Sequence, residues 1–330
     1  MRWPRTMALA ALFATGGTAA ARPASLADDG DFWRDMLEPH AAQVASLLAR
    51  ARRAIGKAGS TAPDRDGAFE ARVKCLRDAY DMLRYARRLA PDNAEVLRWL
   101  GVTADELGQT REAIDALTAS LAVTGVDRAG ADVTGRLGMI YLRLGRLDDA
   151  VTWLARAQGA ITAADHAVAT VHLATALAAR GDMADAIDAL VHALPAQITY
   201  YADPVLQVSL ALAVHYDRDE QRGAAGHVLD RMRATLQQEL APLGQRALAN
   251  LPFAPAEDQY YYLAMLYEAT GDDIEARAEW ALYAAVPDAP WRRRALDHIQ
   301  ELDAQRRAAL ARPPAVRHPA PAPALPRPVP

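Results

Sequence analysis

Between residues 96 and 117 the chain reads VLRWLGVTADELGQTREAIDAL. Apolar residues recur there at helical spacing, which predicts a helix, a break at Gly108 and a second helix. Gly101 lies inside the first helical run, where glycine costs about 1 kcal/mol relative to alanine. The same pattern returns along the chain. Leu100-Gly101, Gly108, Ala113 and Leu117 are followed by Leu137-Gly138, Tyr141, Gly145, Ala150 and Leu154, with the two inner glycines 37 residues apart. A third copy has Leu173-Ala174, Leu177, Gly181, Ala186 and Leu190. A fourth has Leu212-Ala213, Tyr216, Ala225 and Leu229, with Glu220 in place of the turn glycine. A fifth has Tyr260, Leu263-Ala264, Tyr267, Gly271, Ala276 and Trp280. Ahead of them, Ala79, Leu83, Ala86 and Pro91 form the second half of another unit whose first half matches poorly.

A physical reason follows for each residue type. Gly108, Gly145, Gly181 and Gly271 are expected to end first helices in the left-handed conformation. Gly101, Gly138, Ala174, Ala213 and Ala264 are expected to face Ala113, Ala150, Ala186, Ala225 and Ala276 of the paired helix, small against small, so that two backbones approach closely. A pair cannot bury its faces alone, so neighbouring pairs must stack. An ordinary bundle would not require small residues and turn glycines kept in register.

These motifs resemble the tetratricopeptide repeat, in which Leu-Gly, an aromatic residue, Ala and Pro recur over about 34 residues. LAPDNAEVLRWLG (89–101) is similar to the junction between two such units. The resemblance spans about residues 70–287 and implies an all-α, right-handed α-solenoid of stacked helix-turn-helix units with helical caps. Its spacings exceed the family period, and a helical insertion is expected at about 233–256, where the superhelix is irregular or broken.

The flanks differ from the repeats. Arg2 and Arg5, an apolar run from Met7 to Ala14 and the small residues before Ala21 read as a signal peptide over 1–21, with a linker at 22–30. That apolar run is shorter than a membrane span requires. Residues 31–90 form a helical region with the partial repeat. In it, Phe32, Trp33, Leu37, Val44, Leu47, Leu48 and Ile55 supply one apolar face that caps the stack. The repeats cover 91–287 and a capping helix 288–311, with Trp291, Leu296, Ile299 and Leu302 on one side. The Pro/Ala tail 312–330 is expected to be disordered.

Composition narrows the chemistry. Roughly a quarter of the chain is alanine, the best helix former. The net charge is −4, which excludes a generally basic, nucleic-acid-binding surface. Arg84, Arg87 and Arg88 read as a solvated face. The one cysteine, Cys75, forms no intrachain disulfide and reads as a core thiol. His166 and His172 are spaced too far apart to share a helical face as metal ligands. Asp148-Asp149 and Asp272-Asp273 follow turn glycines, where acids favour the start of a helix. No catalytic residue, metal site or cofactor is expected, so the chain is read as a non-enzyme.

The resemblance implies binding of a partner peptide or helix in a concave groove lined by first helices. Helical geometry places Arg98, Val102, Asp105, Arg136, Met139, Val171, Thr175, Val214, Tyr261 and Met265 on that groove. Tyr260 has a packing role, and Tyr261 and Tyr262 are candidate anchors. The Lys/Asn set that clamps a C-terminal carboxylate in some family members is missing. The expected partners are one or more envelope-associated proteins, with no nucleic acid and no membrane span after leader cleavage. A periplasmic or secreted scaffold is the first reading. A cytoplasmic regulatory adaptor and a non-catalytic subunit of an envelope enzyme or secretion complex stand beside it.

Overall fold

The computed structural model describes residues 40–60, 67–125, 130–159, 162–198 and 200–311. The expected signal peptide, the linker after it and the tail fall outside these residues, as do Phe32, Trp33 and Leu37. Among the described residues the regular structure is helical. It comprises α1 (Ala41–Gly59), α2 (Ala68–Leu89), α3 (Ala94–Glu106), α4 (Thr110–Thr124), α5 (Ala131–Arg143), α6 (Leu147–Ala157) and α7 (Ala163–Arg180). There follow α8 (Met183–Ala193), α9 (Asp203–Arg218), α10 (Arg222–Leu236), a 3-10 turn (Gln237–Glu239), α11 (Leu240–Ala249), α12 (Asp258–Thr270), α13 (Asp273–Ala284) and α14 (Arg292–Ala311). None of these helices is long and apolar enough to cross a membrane.

Consecutive helices pack as antiparallel pairs: α3/α4, α5/α6, α7/α8, α9/α10 and α12/α13. These are the five units legible in the sequence. All five turns are built alike. At the first, the Gln109 amide donates to the Ala104 carbonyl at 2.8 Å. The equivalent bonds are Arg146 to Tyr141, Asp182 to Leu177, Gln221 to Tyr216 and Asp272 to Tyr267, all between 2.8 and 2.9 Å. Each spans five residues, which satisfies a carbonyl that the helix end leaves without an intrahelical partner. The motif requires a positive φ, found at Gly108 (74°), Gly145 (69°), Gly181 (103°) and Gly271 (78°). Glu220 takes the same conformation at 58° despite its side chain.

The small inner residues act differently from the expectation. A Cβ on Gly101 would lie 2.5 Å from Leu117 Cγ, and one on Gly138 would lie 2.5 Å from Leu154 Cγ. The nearest partner is thus the leucine one turn beyond Ala113 or Ala150. In the later units Ala174, Ala213 and Ala264 occupy the place of the glycine and are fully buried. The backbones of those pairs must stand far enough apart to admit the methyl group.

The poorly matching first half of the earlier unit is α1, which packs against α2. Val44, Leu47, Leu48 and Ala51 are its buried face. The stretch between Gly59 and Ala68 is longer than the connections within the other pairs, so the pattern is blurred. The insertion is shorter than expected. Residues 233–236 complete α10, and the added segment is the 3-10 turn, α11 and the connection 250–257.

Candidate functional site

The first helices α3, α5, α7, α9 and α12 carry the residues expected to line a groove. Their surroundings divide the stack in two. Along α3 and α5, charged residues link one unit to the next. Arg136 Nη1 lies 3.0 Å from both Asp105 and Glu106. Arg143 reaches Asp105 as well, and Arg72 of α2 lies 2.6 Å from Glu106. Burial opposes the charge of Glu106, but the Arg136 and Arg72 guanidinium groups outweigh it and hold the carboxyl below its ordinary range. Arg98 pairs with Asp132 at 2.6 Å near the surface and lies over the Trp99 ring. Arg98, Asp105 and Arg136 therefore clasp neighbouring units. Between them, Val102 and Met139 follow Gly101 and Gly138 at equivalent positions, and both are half-buried against the core. This stretch retains accessible apolar surface with charges on either side.

The later half is closed. Ten consecutive residues of α7, 169–178, are buried, as are 206–215 of α9. Ten residues cover nearly three turns, so these helices are enclosed on every side. The insertion supplies part of the cover. The Gln207 amide of α9 donates to the Ala247 carbonyl at 2.9 Å. Phe253 packs edge-on against Tyr262 of α12 at 5.2 Å. Gly244 lets Leu266 of α12 approach closely. His172 of α7 faces the Pro252 carbonyl with Nε2 and the Val168 carbonyl with Nδ1. Burial lowers its pKa, against the opposing pull of the two carbonyls.

Five expected groove residues must therefore be reassigned. Val171 (3% exposed), Thr175 (7%), Val214 (0%), Tyr261 (0%) and Met265 (3%) are buried and present no surface to a partner. Thr175 returns its hydroxyl proton to the Val171 carbonyl at 2.9 Å. Helical geometry identifies the outward side of a first helix correctly only while nothing else packs there.

Near the last units lies a buried polar network. Asp217 at the end of α9 accepts hydrogen bonds from Tyr261 Oη (2.6 Å), His298 Nε2 (3.0 Å) and Arg294 Nε (3.1 Å). Glu268 accepts from Trp280 Nε1 (2.5 Å) and His298 Nδ1 (2.9 Å). Arg218 and Asp258 pair at 2.6 Å, and Arg218 lies over the Tyr261 ring. Burial opposes ionisation of both Asp217 and His298. The bonds from His298 and Arg294 nevertheless hold Asp217 well below the carboxylate range, and Asp217 and Glu268 push His298 up to about 9.

Two open clefts, each of about 550 Å³, flank α2. One lies between its first turns and the end of α3, beside the exposed Phe69. Among the described residues no group of three or more His, Cys, Asp or Glu side chains could hold a metal ion.

Residues 131–160, the α5/α6 pair, match the family model of the tetratricopeptide repeat. The match covers that one pair. The other pairs repeat its turn geometry around that tetratricopeptide unit. No curated protein matches the chain. Among solved structures it is similar to MamA, with 20% identity, 50% of this chain and 90% of that chain covered, and a TM-score of 0.41. YrrB, described as a tetratricopeptide protein with an unusual peptide-binding site, gives 19% identity, coverage of 60% and 91%, and 0.41. PilW, described as a widely conserved type IV pilus biogenesis factor, gives 16%, coverage of 74% and 98%, and 0.45.

Asp217, Arg218, Asp258, Arg294 and His298 carry the strongest electrostatics around these tetratricopeptide-like pairs, and none stood out in the sequence. They come from α9, α12 and α14, distant in sequence. The available signal was the arginine and histidine at helical spacing in α14, Arg294 and His298, on the side that includes Trp291 and Leu302.

Proposed function

We propose that this protein is a non-catalytic scaffold of the bacterial envelope that binds an extended or helical segment of another protein across α3 and α5. The observation that supports this reading is the contrast along the first-helix face. Val102 and Met139 keep accessible surface between fixed ion pairs, whereas the equivalent face from α7 to α12 is filled from within. The ion pairs hold neighbouring units at a set spacing, which preorganises the surface and lowers the ordering cost of binding. A segment laid across α3 and α5 meets an apolar strip formed by Val102 and Met139, with Arg98 and Asp132 at its edge.

The perturbed groups Asp217 and His298 are buried and bonded to each other, a structural use rather than a catalytic one. The basic, apolar and small-residue order of the first 21 residues supports export.

A photo-crosslinking residue at position 102 or 139, introduced into the full chain in its native host, tests the binding reading. Both positions should trap the same partner, while position 191 on α8, also exposed, should not. The same adduct from all three, or none from 102 and 139, overturns it. Sequencing the N-terminus of native protein tests export separately: a chain starting at Met1 contradicts cleavage.

A further inference from the structure

We propose that α14 is a detachable cap, and that its closure over the last helix pair depends on a protonated His298 held between Asp217 and Glu268. The first support is geometric. Both ring nitrogens of His298 face carboxylate oxygens, at 3.0 Å and 2.9 Å. Each carboxylate also accepts from other donors: Tyr261 and Arg294 for Asp217, Trp280 for Glu268. Both are therefore acceptors, and a neutral imidazole with one N–H can serve only one of them. The ring satisfies both as an imidazolium.

The second support is the composition of the docking face. The first helix among the described residues, α1, is held by Val44, Leu47, Leu48, Ala51 and Ala58. The buried residues of α14 are Arg294, Ala295, His298 and Leu302. Leu296 and Ile299 pack half-buried beside them, so this cap adds buried charge partners to an apolar face, where the buried face of α1 is apolar throughout.

The charges around His298 are nearly balanced. Asp217 faces it from α9 and Glu268 from α12, Arg294 lies one turn away on α14, and Arg218 pairs with Asp258 nearby. From α13 the Trp280 ring stacks on the imidazole at 4.3 Å. Loss of the ring proton leaves one buried negative charge in excess and a carboxylate facing a lone pair. The cap then loses its bridge between Asp217 and Glu268, and the aromatic end formed by Trp280, Tyr261 and Tyr283 loses its cover. The position of the His298 titration, at about 9, agrees with release on the alkaline side of neutrality.

Selective ¹⁵N labelling of histidine and hydrogen exchange on the full chain test this together. At pH 7.5 the His298 ring should carry protons on both nitrogens and titrate near 9. Exchange of 292–311 should then rise at least tenfold beyond intrinsic base catalysis between pH 8 and 10, with α3–α6 unaffected. His298→Gln should exchange α14 at least tenfold faster at neutral pH and show no alkaline step. A ring neutral at pH 7.5, or α14 protection that follows the whole chain through the titration, overturns the proposal. If His298→Gln does not fold, the wild-type series decides alone.

Discussion

The Cβ that Gly101 lacks would meet Leu117 Cγ at 2.5 Å and the Leu117 amide nitrogen at 3.1 Å. The nearest atom is a branch point and the backbone nitrogen stands close behind it, so the clash does not yield to a simple rotamer change. Gly101→Ala should therefore destabilise the protein, by about 1–3 kcal/mol from overpacking less the roughly 1 kcal/mol of helix propensity gained. The sequence, which pairs Gly101 with Ala113, suggests only a mild effect. Urea unfolding of Gly101→Ala, and of Gly138→Ala at the equivalent contact, measures the difference. A gain of stability in both, as an unhindered Gly→Ala in a helix would give, would remove the proposed register.

The turns make a second contrast. Gly145 stands at φ 69° and Glu220 at 58° in the same motif. Gly145→Ala should cost about 1 kcal/mol, whereas Glu220→Gly should change stability by less than about 0.5 kcal/mol, since relief of strain and added chain entropy oppose each other. Thermal unfolding of the two variants side by side checks this.

Arg136 joins α5 to Asp105 and Glu106 of α3, with little exposure on either side. Arg136→Met should cost about 1.5–3 kcal/mol, the range for hydrogen bonds to a charged group, because Asp105 keeps Arg143 and Glu106 keeps Arg72 while both lose the shared guanidinium. The sign of the pH effect follows from Glu106. Its folded pKa is depressed, so its contribution is full above the ordinary carboxylate range and is lost as pH falls below it. Wild type should therefore lose more stability than Arg136→Met on acidification from pH 6 to pH 3. Parallel loss in both would show that the clasp adds nothing.

Tyr261 is fully buried, donates to Asp217 and packs edge-on against Trp280 at 4.6 Å. Tyr261→Phe should cost about 1.5–3 kcal/mol, the range for a hydrogen bond to a charged group. Tyr261→Ala should cost about 3–5 kcal/mol and loosen α12–α14 first. A variant of normal stability that had lost only partner recovery would restore Tyr261 as a surface anchor.

The sequence made the repeat legible because a turn of fixed geometry demands glycine and a close helix contact demands a small residue. Five units recur on those two constraints alone. It showed less of α1, because a longer connection to α2 replaces the short glycine turn. The candidate surface was only half legible. Arg98, Asp105 and Arg136 lie between units as well as toward the predicted face, because long charged side chains reach across to the next helix. Val171, Val214 and Met265 were misplaced because α7, α9 and α12 are enclosed, partly by the 237–257 insertion. Periodicity within one helix contains no record of a segment that returns from elsewhere. The Asp217–His298–Glu268 bridge was invisible for the same reason: its three residues meet only after the chain has folded.

The first-helix face is open along α3 and α5, and its equivalent positions are buried from α7 to α12. Maleimide labelling of single-cysteine variants in a Cys75→Ser background tests it most directly. Val102→Cys and Met139→Cys should label readily in the folded protein, while Val171→Cys and Val214→Cys should label at least a hundredfold more slowly and reach the same rate only in denaturant. Equal rates at all four positions in the folded protein would contradict the account.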